Sequence, residues 1–390
     1  MKNGPVATDV LVVGAGPAGS TAALVLARAG VRVRLVDRAR FPRDKLCGDT
    51  LNPGTLAMLD RLGIAAPIRR RALPITGMDL TGPGGACVSA DYPRGIHGVS
   101  LTRRELDLML LEAAIAAGAC FDSDVVVRAP LTTADTSRVV GVHAAASGDE
   151  RNVHARVVIA ADGRHSRLAF GLGLATYAPA PKRWAFGAYF GDVADLSSHG
   201  EMHIRTDGYI GIAPLPGGIA NVCVVRELKN VFRAQRADAD TSVRRAVESD
   251  PVLAPRFTRA RQISGVTSLG PLAVDASGAG YAGLLVAGDA AGFVDPMTGD
   301  GLRFAIRGGE LAAEAALREL STGAPAWTSL REARNKEFAP KWRINRGLRA
   351  LVASPGAVHV ASQLARGWDA PVRALVSLAG DVKLAQHAAT

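Results

Sequence analysis

Lys45 and Cys47 are separated by one leucine in the stretch FPRDKLCGDTLNP, which begins at Phe41. A thiol with a cation beside it can be activated as a thiolate or can act as a proton donor, because nearby positive charge changes what it takes to remove its proton. A free cysteine is as often a small buried apolar side chain, and the stretch by itself leaves both roles open for Cys47. Lys45 suits a phosphate or a carboxylate better than the work of a base.

The elements that must position this pair precede it. TDVLVVGAGPAGSTAALVLARAGVRVRLVDRA predicts a buried strand over 10–13, a glycine turn, a helix over 17–29 and a second strand over 31–36. In that βαβ unit Gly14 permits the tight turn, Gly16 lets the backbone approach a pyrophosphate, and Gly19 lets helix and strand pack closely. Ala18 lies in the first helical turn, where free N–H groups meet an anion. Asp37 ends the second strand where a carboxylate can accept from ribose hydroxyls, with Arg38 next to it. An acid at that position favours NAD or FAD over NADP.

Two later stretches repeat this logic. ARVVIAADGRHSRLA predicts a strand over 157–160 that delivers Asp162 and Gly163. YAGLLVAGDAAGFVDPMTGDGLRFAIRGGELAAEAAL predicts a strand over 284–287, the Gly288–Asp289 pair, a loop over 295–301 and a helix from about Leu302. Pro296, Gly299, Gly301 and Leu302 would bring backbone N–H groups to a ring carbonyl that gains negative charge on reduction.

In order and spacing, the glycine turn, the ADG segment and GDAAGFVDP resemble the FAD-dependent superfamily of para-hydroxybenzoate-hydroxylase-type monooxygenases, tryptophan-type halogenases and geranylgeranyl reductases. The likeness runs to about residue 320. It implies FAD as cofactor and, from an R-x-x-x-D pattern in LTRRELDLMLLEAA, contact of Arg103 with FAD. Hydroxylases of this group carry a histidine after GDAA, where this chain has Gly292 and Phe293. GYIGIAPLPGG from Gly208 lacks both tryptophans of the halogenase stretch, whereas Tyr209 and Ala213–Pro214 are similar to part of the reductase stretch. Cys47, Gly48 and Pro53 match the reductase cysteine segment, with Asp49, Thr50 and Leu51 replacing its small-residue and glycine pair. The resemblance thus implies Cys47 and Tyr209 as catalytic candidates, and Lys45 joins them from its place beside the thiol.

The implied fold is α/β: a Rossmann-type, glutathione-reductase-like FAD-binding domain (1–72, 99–174 and 267–326), an inserted β-rich substrate domain (73–98 and 175–266) and a helical C-terminal region (327–390). Alternation in WAFGAYFGDV and its neighbours predicts strands roofing the cofactor, with Trp184, Phe186, Tyr189, Phe190 and Tyr209 as candidates for an apolar pocket. The expected ligand is a hydrophobic prenyl- or polyketide-like small molecule. The expected reaction is carbon–carbon double-bond reduction, and the alternative is a monooxygenase that hydroxylates or epoxidises with reduced flavin and O2. No second glycine motif exists, so NAD(P)H would act as a transient electron donor.

Composition narrows the rest. The four cysteines, Cys47, Cys87, Cys120 and Cys223, have no C-x-x-C spacing, against a disulfide framework or a metal site. Neither a signal segment nor an uninterrupted apolar run of about 18 residues occurs, so a cytoplasmic protein is expected. The net charge of +10 accompanies no nucleic-acid module. Between Arg331 and Arg349 seven Lys or Arg face two Glu, with Phe338, Trp342, Ile344 and Leu348 interleaved. That segment is a candidate for peripheral contact with an anionic membrane, or else a solvated cap on the FAD domain.

Overall fold

A computed structural model describes residues 8–135, 137–146, 148–179, 183–227 and 236–389. At its centre lies a six-stranded sheet in the order Gly280–Tyr281, Leu284–Val286, Val157–Ala160, Val10–Val13, Val33–Val36 and Cys120–Asp122, parallel except at its first strand. Val10–Val13 and Val157–Ala160 are buried at every residue, as continuous apolar runs in a parallel sheet must be when both faces are covered.

The two faces separate by strand alternation. Val10 and Val12 join the core made with helices Pro17–Arg28, Arg103–Ala116 and Gly301–Thr322. Leu11 and Val13 point the other way, into a core shared with a three-stranded antiparallel sheet of Val125–Thr132, Val139–Ala146 and Asp149–His154.

A second large sheet runs in the order Arg261–Gln262, Arg183–Gly191, Ile219–Glu227, Gly208–Leu215, His199–Arg205, Gly77–Gly82 and Ala86–Asp91, with Thr267–Leu269 also on Arg183–Gly191. It is antiparallel except between His199–Arg205 and Gly77–Gly82. Segments about a hundred residues apart in sequence are thereby joined in one roof. Its outer face packs Phe186, Phe190, Ile210 and Val224 against Val243 and Val247 of helix Arg236–Glu248. Its inner face presents Ala185, Tyr209 and Val225.

Four helices follow: Trp327–Val352, Pro355–Gly367, Ala370–Ala379 and Val382–Ala389. The first carries the basic stretch, and two of its cations turn inward. The Arg334 Nη2 group donates to the Ala291 carbonyl at 2.6 Å, and Lys341 is paired with Asp300 and, at 2.7 Å, with Asp381. Phe338 stacks edge-on to Phe304 with ring centres 5.1 Å apart. Among the described residues, no helix is long and apolar enough to cross a membrane.

Candidate active site

Gly14 sits at φ 99°, and a Cβ there would collide with the Ala161 carbonyl at the neighbouring strand end. Only glycine allows that crossing. A Cβ on Gly19 would strike the Gly14 carbonyl, so Gly19 fixes helix-to-turn packing and does not itself face the cavity. Helix Pro17–Arg28 has no capping side chain and no acid in its first turn, which leaves its N-terminal N–H groups for an anion. The Asp37 carboxylate accepts from the Ala15 N–H at 2.7 Å and the Ala39 N–H at 2.8 Å, fixing it at the cavity edge with further lone pairs to offer.

A cavity of about 710 Å3 opens from this turn. Every cofactor-binding and catalytic candidate named from the sequence lines it except Gly19: Gly14, Gly16, Ala18, Asp37, Arg38, Lys45, Cys47, Arg103, Asp162, Gly163, Tyr209, Gly288, Asp289, Pro296, Gly299, Gly301 and Leu302. Burial lowers the affinity of Lys45 for its proton, Asp289 counteracting this in part. Two cations had no sequence assignment. Arg43 reaches Asp107 at 3.2 Å and lies beside Gly16. Arg164 is 4% exposed, and its Nη2 has no hydrogen-bond partner among the described residues. Asp162 Oδ1 likewise has no partner among the described residues. Their positions, directly after Asp162–Gly163 and two residues before Lys45, were the available signals.

Buried donors and acceptors without partners cost free energy unless something meets them. Here they surround a glycine turn with a free helix N-terminus, so the donor set fits an anionic dinucleotide with polar ring edges. FAD would be held by the turn at Gly14–Ala18, by Asp37, and by the loop from Pro296 to Gly301.

Cys47 lines the cavity beyond this cradle. Burial raises its pKa above the ordinary thiol value of 9.0, against the pull of Arg103, while Asp49 adds to the rise. The Asp49 N–H and the Arg103 side chain both act on its sulfur as hydrogen-bond donors. Asp49 itself is fully buried, in the left-handed region at φ 54°. Its carboxylate accepts from the Arg103 N–H at 3.1 Å, the Tyr189 hydroxyl at 2.8 Å and the Asn221 amide at 2.6 Å. The same amide donates to the Cys47 carbonyl at 2.7 Å. Burial pushes Asp49 up to about 6, its three donors opposing the rise. Sequence reasoning missed this clamp, although Asp49 was visible as a departure from the reductase pattern.

Arg103 makes a bidentate pair with Asp107 at 2.7 and 2.8 Å, so its guanidinium is oriented toward Cys47 by its own helix. The Tyr209 hydroxyl donates to Asp295 Oδ1 at 2.6 Å, and that oxygen also accepts from the Met297 N–H at 3.1 Å. Arg183 completes the cluster at 3.1 Å. Tyr209 thereby ties the roof to Asp295, whose side chain caps the turn Pro296–Thr298.

The aromatic pocket also needs correction. Of the five residues proposed, only Tyr209 lines the cavity. Trp184, Phe186 and Phe190 share the alternation parity that faces helix Arg236–Glu248, and Tyr189 is engaged with Asp49. The apolar wall is instead mainly aliphatic, with Met78, Leu80, Met202 and Ile204 from the roof, Leu272 beside it, and Leu348, Leu375 and Val376 from the tail helices, while its further aromatic members are Tyr92 and Phe293.

Comparison with known proteins agrees with this geometry. A family model described as FAD binding domain matches residues 7–324, so the chain belongs to that family and is an FAD-dependent oxidoreductase. Within it the chain falls in the geranylgeranyl reductase-like branch. It is 34% identical to the menaquinone reductase of Mycobacterium tuberculosis over 83% of this chain and 79% of that one. It is 31% identical to the geranylgeranyl diphosphate reductase of Rhodobacter capsulatus over 82% and 77%. The solved structure of a geranylgeranyl bacteriochlorophyll reductase-like protein from Thermoplasma acidophilum superposes with a TM-score of 0.79 at 23% identity, covering 93% of this chain and 92% of that one, and shows the shared fold.

Proposed function

We propose that this protein reduces carbon–carbon double bonds in a hydrophobic prenyl- or polyketide-like molecule, with NAD(P)H as the transient electron donor. The observation that carries the reading is the placement of the Cys47 thiol on the wall of one cavity that joins the residues fitting FAD to a largely apolar lining. The printed activities of the two relatives, reduction of menaquinone and of geranylgeranyl diphosphate, support it.

Reduced FAD would supply the hydride. The chain's own residues supply the second half of the addition. Saturating a double bond adds hydride to one carbon and a proton to the other, and Cys47 Sγ is the proton source. Burial keeps the thiol protonated at neutral pH, and Arg103 with the Asp49 N–H stabilises the thiolate left after transfer. The thiolate then recovers its proton from solvent. Asn221 and Asp49 fix the Cys47 backbone, so the sulfur does not wander as its charge changes. Leu80, Ile204 and Leu272 exclude water and hold an apolar chain.

The test is turnover under strict anaerobiosis, with dithionite-reduced enzyme and a geranylgeranyl-chain substrate. The reading predicts saturated product without O2. Product that forms only with stoichiometric O2 consumption would establish the rival monooxygenase reading and overturn this one.

A further inference from the structure

Among the described residues eight large apolar side chains are exposed, and four of them lie in the last helices. Val360 is 58%, Leu364 64% and Trp368 68% exposed, at spacing i, i+4 and i+8 along helix Pro355–Gly367 and its cap. That spacing makes one stripe. The opposite side of this helix, with Val358 and Ser362, is buried, and the helix packs on strand Ala86–Asp91. Helix Ala370–Ala379 packs on the same strand, and exposes Leu378 at 49% while Leu375, Val376 and Ala379 line the cavity. Only one helix diameter, about 10–12 Å, separates the exposed leucine from the cavity.

Charge says what this surface meets. From Trp327 onward the chain has ten Lys or Arg against four Asp or Glu. Three of those four acids are engaged by cations: Glu337 with Arg303, Asp369 with Arg373, and Asp381 with Lys341. Arg343, Arg346, Arg366 and Lys383 remain at the surface. Helix Pro355–Gly367 has no acidic residue at all. An apolar stripe in a cationic surround, backed by the wall of a largely apolar cavity, matches an anionic lipid bilayer.

We propose that Val360, Leu364, Trp368 and Leu378 form a face that lies on an anionic membrane surface, setting helix Ala370–Ala379 between the bilayer and the substrate cavity. The face differs from the basic segment 331–349 expected from the sequence, where Arg334 and Lys341 point into the protein. It deepens the reading of a lipid-like substrate, by naming where that substrate comes from.

The experiment is flotation of the FAD-loaded protein with vesicles of phosphatidylcholine alone and of phosphatidylcholine with phosphatidylglycerol. The protein should float with the anionic vesicles and far less with the neutral ones. The triple variant Val360→Ser, Leu364→Ser, Trp368→Ser should bind about tenfold more weakly while keeping its FAD and its melting temperature. Trp368→Phe should keep vesicle binding but lose the blue shift of tryptophan emission that anionic vesicles induce in the wild type. A wild type that stays in the soluble fraction with both vesicles overturns the proposal. So does a wild-type dimer in buffer that the triple variant converts to monomer without any vesicle binding, since a second copy would then cover the stripe. No substrate is present, so failure here and failure of the reductase reading are told apart.

Discussion

The nucleotide-binding cradle and the C-terminal helices are both arginine- and lysine-rich, and they treat buried positive charge in opposite ways. At the cradle, the buried Arg164 leaves Nη2 without a partner among the described residues, and Lys45 lies half-buried near three other cations, Arg43, Arg103 and Arg164. In the tail, Lys341 is saturated by Asp300, Asp381 and the Ala379 carbonyl. A buried cation left open calls for an anion from outside; one closed by the protein is a latch. Here the latch ties the tail to Asp300, next to the loop that would face the flavin.

The contrast can be broken at its two poles. Lys341→Met leaves the buried Asp300 without its cation, while Asp381 keeps Arg303 at 2.6 Å, and should destabilise the fold by about 3–5 kcal/mol, read as a fall in the denaturant midpoint. Tail cleavage by a protease at native conditions should rise in parallel. Arg164→Gln should do the reverse: it should weaken FAD binding by about tenfold, measured by flavin fluorescence titration, and leave the melting temperature of the cofactor-free protein unchanged. A drop in cofactor-free stability would show that Arg164 is structural and remove the distinction.

A finer test uses Asp49, whose native pKa of about 6 exceeds its ordinary 3.8. The folded chain holds this proton more tightly than the unfolded chain. Stability at this site is therefore fully present below pH 3.8 and is lost as pH rises through about 6. Wild type should lose up to about 3 kcal/mol relative to Asp49→Asn across that window, by denaturation at a series of pH values. A flat difference would place Asp49 outside the clamp.

The cradle was legible in the sequence because its parts are local. Strand, turn, helix and acid lie within about thirty residues, and each carries its own signature: a four-residue apolar run, Gly14 at positive φ, Asp37 at the strand end. The rest depends on contacts with no periodic trace. Asp49 meets Tyr189 from 140 residues away and Asn221 from 172. Lys341 was read as surface charge because composition does not reveal that Asp300 and Asp381 converge on it. The parity that turns Phe186 and Phe190 away from the cavity follows from which face helix Arg236–Glu248 covers, a fact of tertiary packing alone. The antiparallel sheet of Val125–His154 within the FAD-binding part was likewise hidden by ordinary alternation.

The central claim is that Cys47 delivers the proton that completes double-bond reduction. Its most direct test is anaerobic single turnover of prereduced enzyme with Cys47→Ser beside wild type, followed across pH. Wild type should hold its rate through neutrality and lose it only above pH 9, as its raised thiol finally ionises. The variant should bind FAD normally yet form product about a hundredfold more slowly, without that alkaline limb. Equal rates and equal pH profiles for the two proteins would contradict the account.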